Sequence, residues 1–258
     1  MHQAYRGIVF FDLDSTLLNR NSQLSPSTLL SLQRLQENHY LPVINTGRAP
    51  NEILAIRQQA HLNTFCALNG SYIEHNGQVL YKSVIPTTTI TSLVNQTAQL
   101  GDALAFYSTK QIATTESTHQ VAAAYHFINT PVPLADKQFY YHHRILMLLI
   151  FTTTNDLIYH RSYPHLTLYR NTPYSIDTVQ IGNSKHSGML KIQESLHLEG
   201  IPTFAFGDGT NDVSMITGAD HGVAMANGID DAKKAAEFIT SDNDHDGIRL
   251  GLEHFGLI

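Results

Sequence analysis

Five short apolar runs, residues 8–11, 41–44, 65–68, 203–206 and 222–225, each break off into a polar loop. Runs of this length, rich in β-branched and aromatic side chains, read as buried strands. Stretches with apolar residues at helical spacing lie between them. Ser25-Pro26 has the form of an N-cap followed by proline at the first helical position. Leu29, Leu32 and Leu35 then continue one face through about Gln36. Pro50 opens a second helix with Ile53, Leu54 and Ile56 inward, and residues 185–198 form a third with Met189, Ile192 and Leu196 inward. Shorter helices are predicted over 213–216, 230–237 and 248–255. Such alternation implies an α/β fold whose sheet is mostly parallel, doubly wound and Rossmann-like, with right-handed crossovers.

The alternation stops after Asn69-Gly70. Residues 72–75 and 78–81 flank Asn76-Gly77, a strong signal for a tight β-hairpin. From Ser83 to Asn183 the chain is rich in threonine and tyrosine and punctuated irregularly. Helices are predicted at 88–100 and 119–127, and strands at 103–108, 145–151, 166–170 and 175–181. Pro131 and Pro133 mark a loop among them. The first pattern resumes after Ser184. We therefore expect a discontinuous core, 1–82 and 184–258, with an α+β domain, 83–183, inserted into it.

Composition narrows the function classes. Lys and Arg total 16, form no run, and leave a net charge of −6, so neither nucleic acid nor an anionic membrane is an expected partner. The one cysteine, Cys66, lies in an apolar run and reads as a buried structural residue. No apolar run approaches the ~18 residues of a membrane span, and Met1–Arg6 lacks a signal-peptide stretch, so a cytoplasmic location is expected. Nothing in the sequence indicates an oligomeric state.

Chemistry concentrates at the strand ends. The first run, Ile8-Val9-Phe10-Phe11, stops at Asp12-Leu13-Asp14. An extended backbone would aim Asp12 and Asp14 the same way. Two adjacent carboxylates are tolerated when a cation lies between them or one holds a proton. The second run ends at Thr46-Gly47-Arg48, and the fourth at Gly207-Asp208-Gly209-Thr210-Asn211-Asp212. Strand ends of a parallel sheet share one edge, so these loops are candidates to converge. Several carboxylates with no thiol and no paired histidine make an oxygen-only site suited to Mg²⁺. A hydroxyl, a lysine and an amide beside such an ion can hold phosphoryl oxygens. The glycines let backbone N–H groups approach an anion closely.

Asp12-Leu13-Asp14-Ser15-Thr16, Thr46-Gly47-Arg48, Lys185 and the loop from Gly207 to Asp212 together resemble the four motifs of the haloacid-dehalogenase-like phosphohydrolases, most closely the Cof-type branch. Asn69-Gly70 before the hairpin, and Gly222-Val223-Ala224-Met225-Ala226-Asn227, resemble that branch as well. The likeness covers both core segments and is weak between them. Two positions depart from the pattern: Ser15 and His186 stand where most members carry glycine. Ser15 is expected to be tolerated and His186 to face solvent.

The resemblance implies a phosphatase acting on small phosphomonoesters. Asp12 would be the nucleophile and Asp14 the general acid and base. Asp12, the Asp14 backbone carbonyl, Asp208 and Asp212 would hold Mg²⁺. Thr46, Gly47, Arg48, Lys185 and Asn211 would line the phosphate site, with Lys185 as an anion clamp whose removal spares stability. The inserted domain would act as a cap that excludes water and reads the leaving group. The alternatives are a phosphomutase or phosphotransferase using the same Asp12 chemistry, or a phospho-accepting signalling domain without turnover. Such signalling domains are shorter and lack an inserted domain.

Overall fold

The computed structural model describes residues 5–258. Met1–Ala4, part of the segment read for a signal peptide, lies outside the described residues. The chain divides into two compact units, one of residues 5–48, 52–81 and 184–258, the other of 82–183 with 49–51.

The first unit begins with β1 (Gly7–Phe11), α1 (Pro26–Glu37), β2 (Tyr40–Asn45), α2 (Leu54–Ala60), β3 (Thr64–Ala67), β4 (Tyr72–His75) and β5 (Gln78–Lys82). The second unit holds α3 (Thr87–Leu100), β6 (Ala103–Tyr107), β7 (Ile112–Thr114), α4 (His119–Phe127), α5 (Phe139–His142), β8 (Met147–Phe151), α6 (Asp156–Ser162), β9 (Leu166–Tyr169) and β10 (Ser175–Gln180). The chain then completes the first unit with α7 (Lys185–Leu196), β11 (Thr203–Gly207), α8 (Val213–Gly218), β12 (His221–Ala224), α9 (Asp230–Ala235), β13 (Phe238–Ile239) and α10 (Gly247–His254).

The first unit's sheet runs β13-β12-β11-β1-β2-β3-β4-β5. Pairing is parallel from β13 to β3, and β4 adds antiparallel to β3. This is a doubly wound order: the chain moves outward from β1 through β2 to β3, then restarts on the other side at β11. Between β1 and β11 lies the topological switch point, where such sheets open a crevice at the strands' carboxyl ends. β1 is wholly buried, as a central strand covered on both faces must be. On one face Ile8, Phe10 and Ala205 pack against Met189 and Ile192 of α7 and Met215 of α8. Phe206, pointing the other way, meets α10 so closely that a Cβ on Gly251 would lie 2.4 Å from its ring.

Local signals account for most elements. The Ser25 hydroxyl accepts from the Thr28 N–H with Pro26 at the first position of α1. Asn76 and Gly77 both have positive φ, 49° and 81°, which suits the tight turn between β4 and β5. The helix expected from Pro50 starts at Leu54 instead. Ile53 is buried but Leu54 faces solvent, because the preceding turn places the first inward position one residue earlier.

The second unit is an antiparallel five-stranded sheet, β7-β6-β8-β10-β9. Leu104, Phe106, Leu148, Ile150 and Ile176 form one face with Ile90 and Leu93 of α3, Phe139 and Tyr140 of α5, and Tyr159 of α6. Tyr125 of α4 packs on Phe151, on the other face. The two strands of chain that leave and re-enter the first unit are tied together, Asn183 Nδ2 donating to Ser83 Oγ at 2.9 Å. No helix among the described residues is long and apolar enough to cross a membrane.

Candidate active site

Asp12 follows β1 at the switch point and is buried. Its N–H donates to Phe206 O (3.0 Å), which continues the β1–β11 ladder by one rung. The chain then turns tightly over Leu13–Leu17, and the two acids' side chains acquire different partners. Asp12 Oδ1 accepts from Lys185 Nζ at 2.5 Å. Asp14 is half-exposed, and both its oxygens are held by the Arg48 guanidinium, with Nε to Oδ2 at 2.8 Å and Nη2 to Oδ1. Ser15 sits in the left-handed region at φ 59°, which explains why glycine suits this position. Serine there is strained but tolerated, clamped by a bond from Asn227 Nδ2 to its carbonyl (2.8 Å). Thr16, buried, donates to Asp208 Oδ1 at 2.7 Å.

The loop after β11 folds back on itself. Asp212 Oδ2 accepts from the N–H groups of Asp208 (3.0 Å) and Gly209 (2.8 Å), and Asp212 Oδ1 accepts from Lys185 Nζ at 2.5 Å. Gly207 is required by contact: a Cβ there would lie 2.5 Å from that of Asp212. Asp12, Asp208 and Asp212 each place a carboxylate oxygen within 4.8 Å of the others.

Lys185 opens α7, whose N-cap Ser184 forms a reciprocal capping pair with Ser187. A lysine at a helix start runs against the macrodipole and needs anions nearby. Here it has two, and its side chain is 1% exposed. These contacts run against the expectation that its removal would spare stability: a solvated helix-start lysine is dispensable, whereas this one is the counterion of two buried carboxylates. His186 does not face solvent freely either. It is half-buried with its ring against Gly218, where a Cβ would lie 2.3 Å from ring Cδ2, so the departure from glycine is absorbed by glycine on α8.

Thr46 follows β2, is buried, and accepts the Arg48 N–H on its hydroxyl (3.1 Å), with Gly47 in the bend between them. Asn211 donates to Asn69 Oδ1 at 2.9 Å. Asn45 was not singled out by the sequence, yet its side chain donates to Lys185 O at 2.9 Å. Its one sequence signal is its place as the polar end of a buried strand. Thr16 and Asn69 stood inside recognised motifs without a role. Cys66 is buried, with its thiol pushed up to about 12 by that burial, as a structural cysteine should be.

The electrostatics are unbalanced, three clustered carboxylates facing one lysine. Burial and then Asp212 raise Asp12 well above the usual carboxylate range, Lys185 opposing. Burial and Asp212 push Asp208 up to about 7, opposed by the Thr16 hydrogen bond and Lys185. Burial alone would lower the Lys185 ammonium, but Asp12 and Asp212 outweigh it and hold it above the ordinary lysine value. An oxygen-only donor set with surplus negative charge fits a hard divalent cation.

A stability measurement follows. Asp208 titrates higher in the fold than the 3.8 of an ordinary aspartate. Without a divalent cation, the folded protein thus keeps a proton there that the unfolded chain releases earlier. That contribution is complete below about pH 4 and is lost as pH rises through about 7, at no more than about 1.4 kcal/mol per pH unit. In EDTA, the stability of the parent relative to Asp208→Asn should fall from pH 4 to 7. A difference independent of pH would contradict the burial of this carboxylate.

Residues 9–252 match the sequence profile of the haloacid dehalogenase-like hydrolases. The chain belongs to that family. Full-length relatives agree. The Bacillus subtilis protein YkrA, named a putative phosphatase, is 30% identical over 252 residues, covering 97% of this chain and 98% of its own. YitU of the same organism, named 5-amino-6-(5-phospho-D-ribitylamino)uracil phosphatase, is 28% identical over 272 residues, covering 97% and 98%. Among solved structures, the subclass IIB sugar phosphatase BT4131 superposes with a TM-score of 0.88 at 26% identity, covering 98% of this chain and 100% of that one. This haloacid dehalogenase-like chain is accordingly a phosphatase.

Proposed function

We propose that the protein is a Mg²⁺-dependent phosphomonoesterase working through an aspartyl-phosphate on Asp12. The observation that carries this reading is the Lys185 ammonium buried between Asp12 and Asp212, beside Asp208, at the switch point of the sheet. Asp12, Asp208, Asp212 and the Asp14 backbone carbonyl would hold Mg²⁺, which when bound offsets the surplus carboxylate charge and draws phosphoryl oxygens. The Asp12 carboxylate, held at Oδ1 by Lys185, would attack phosphorus. As that O–P bond forms, the ester P–O bond breaks and Asp14, protonated once Arg48 has released it, gives that proton to the departing alcohol oxygen. Asp14 then takes a proton from the water that attacks the phosphoryl group, releasing orthophosphate and restoring Asp12. Thr46, the Gly47 N–H and Asn211 would bind the phosphoryl oxygens, with Lys185 offsetting charge beneath them.

Arg48 has a double part in this reading. It holds both Asp14 oxygens, so Asp14 can turn toward a leaving group only when the guanidinium moves to another anion, and an entering phosphate is such an anion. The inserted unit would serve as the cap that excludes water and reads the leaving group. By analogy with a sugar phosphatase and a phosphoribitylaminouracil phosphatase, the substrate is a small phosphorylated metabolite.

The test is orthophosphate release over a panel of sugar phosphates, nucleotides and phosphorylated cofactors, with Mg²⁺ and after exhaustive chelation. Release is expected only with the cation. Full turnover after chelation would contradict the metal assignment, and transfer to a second sugar phosphate without release would make the enzyme a phosphotransferase.

A further inference from the structure

The turn after β3 is conformationally costly. Leu68, Asn69 and Gly70 all lie in the left-handed region, at φ 53°, 50° and 90°. A buried leucine there is unusual, since its Cβ crowds the following carbonyl. Three backbone bonds hold the turn: Leu68 N–H to Arg48 O, Asn69 N–H to Thr46 O, and Ser71 N–H to Leu68 O, each 3.1 Å. Gly70 fits against the start of α7 so tightly that a Cβ would lie 2.3 Å from Ser184 O. The turn is therefore wedged between the loop carrying Thr46 and Arg48 and the helix start carrying Lys185.

What the wedge delivers is one side chain. Asn69 is wholly buried, and its Oδ1 accepts from Asn211 Nδ2 at 2.9 Å, across 142 positions of sequence. An amide carries two N–H donors and an oxygen that differ little in shape, so a free Asn211 could present either end. With one N–H committed to Asn69 Oδ1, the second N–H is held at a defined direction. We infer that Asn69 is a positioning residue that fixes the Asn211 amide with its NH₂ end toward the phosphoryl oxygens. This rests on the reading of Asn211 as a phosphate ligand. It makes the left-handed turn part of the phosphate site, which the Asn69-Gly70 motif alone does not reveal. Strain retained where the surrounding structure over-determines it is a common companion of such pre-organisation.

A double-mutant cycle tests it, with hydrolysis of para-nitrophenyl phosphate in Mg²⁺ as the readout. Glycine tolerates the backbone of position 69, so Asn69→Gly removes the amide without adding strain. Asn69→Gly should lower kcat/KM by about tenfold in the parent and by less than twofold in the Asn211→Ala background, because it acts only through Asn211. Asn69→Asp, which keeps an acceptor for Nδ2, should retain more kcat than Asn69→Gly. Equal losses from Asn69→Gly in both backgrounds would overturn the positioning role while leaving Asn211 as a ligand. A silent Asn211→Ala would overturn both. Thermal unfolding of each variant, with a midpoint close to the parent's, separates these effects from a loss of fold.

Discussion

Asp12→Asn should abolish turnover, by about 10⁴-fold or more, and leave the cation-free fold at least as stable as the parent at neutral pH. The first half follows from chemistry. An amide cannot supply the attacking oxyanion, and loss of a nucleophile removes the covalent route altogether. The second half follows from the site's electrostatics. Burial and the acids around it raise Asp12 well above the ordinary carboxylate range, so its charge is held in the fold at a cost. Asparagine has the same shape without the charge, and Lys185 keeps Asp212 as a partner. Mg²⁺ should in turn stabilise the variant less than the parent, since one ligand charge is gone. Steady-state rates within tenfold of the parent would refute the nucleophile; a large fall in the unfolding midpoint in EDTA would refute the electrostatic account.

Lys185→Met should damage both catalysis and folding. Its ammonium meets Asp12 and Asp212 at 2.5 Å each, and all three side chains are buried. Methionine fills a similar volume but strands two buried carboxylates. Removing one partner of a buried ion pair typically costs about 3–5 kcal/mol, whereas removing all partners together does not. The urea midpoint without divalent cation should therefore fall by an amount of that order, and kcat/KM by at least about 10²-fold. A second substitution, Asp12→Asn in the Lys185→Met background, should restore part of the stability, Asp212 still lacking its ammonium, and none of the activity. If Lys185→Met leaves the urea midpoint unchanged, the buried bridge is not what the geometry indicates.

Much of this fold is legible in the chain because its elements are locally consistent. Ser25-Pro26, Asn76-Gly77 and the apolar runs each carry their own signal, and each forms where the residues say. What was not legible is short or non-local. β7, α5, α6 and β13 have between two and seven residues, too few for a period to emerge. The helix expected over 230–237 ends at Ala235, because Ala236 leaves the helical region and Phe238-Ile239 pairs with β12. Parallel strand ends share one edge, and Asp12, Asp208 and Asp212 lie together there. No pattern in the sequence signals that the chain turns after Asp12 and hands Asp14 to Arg48. Nor does any signal the burial of Lys185, since a lysine beginning an amphipathic helix reads the same whether it meets water or two carboxylates. Such facts belong to contacts across 173 and 34 positions, which no local pattern encodes.

If Asp12 carries the phosphoryl group during turnover, acid quenching traps it there. Aspartyl-phosphates survive brief acid treatment better than neutral pH, so a reaction stopped within one turnover can be digested and mapped by mass spectrometry. The mass of one phosphoryl group should appear on the peptide containing Asp12, increase in Asp14→Asn, whose hydrolysis step lacks its base, and be absent from Asp12→Asn. Phosphoryl mass on any other residue, or turnover by Asp12→Asn at the parent's rate, would contradict the account.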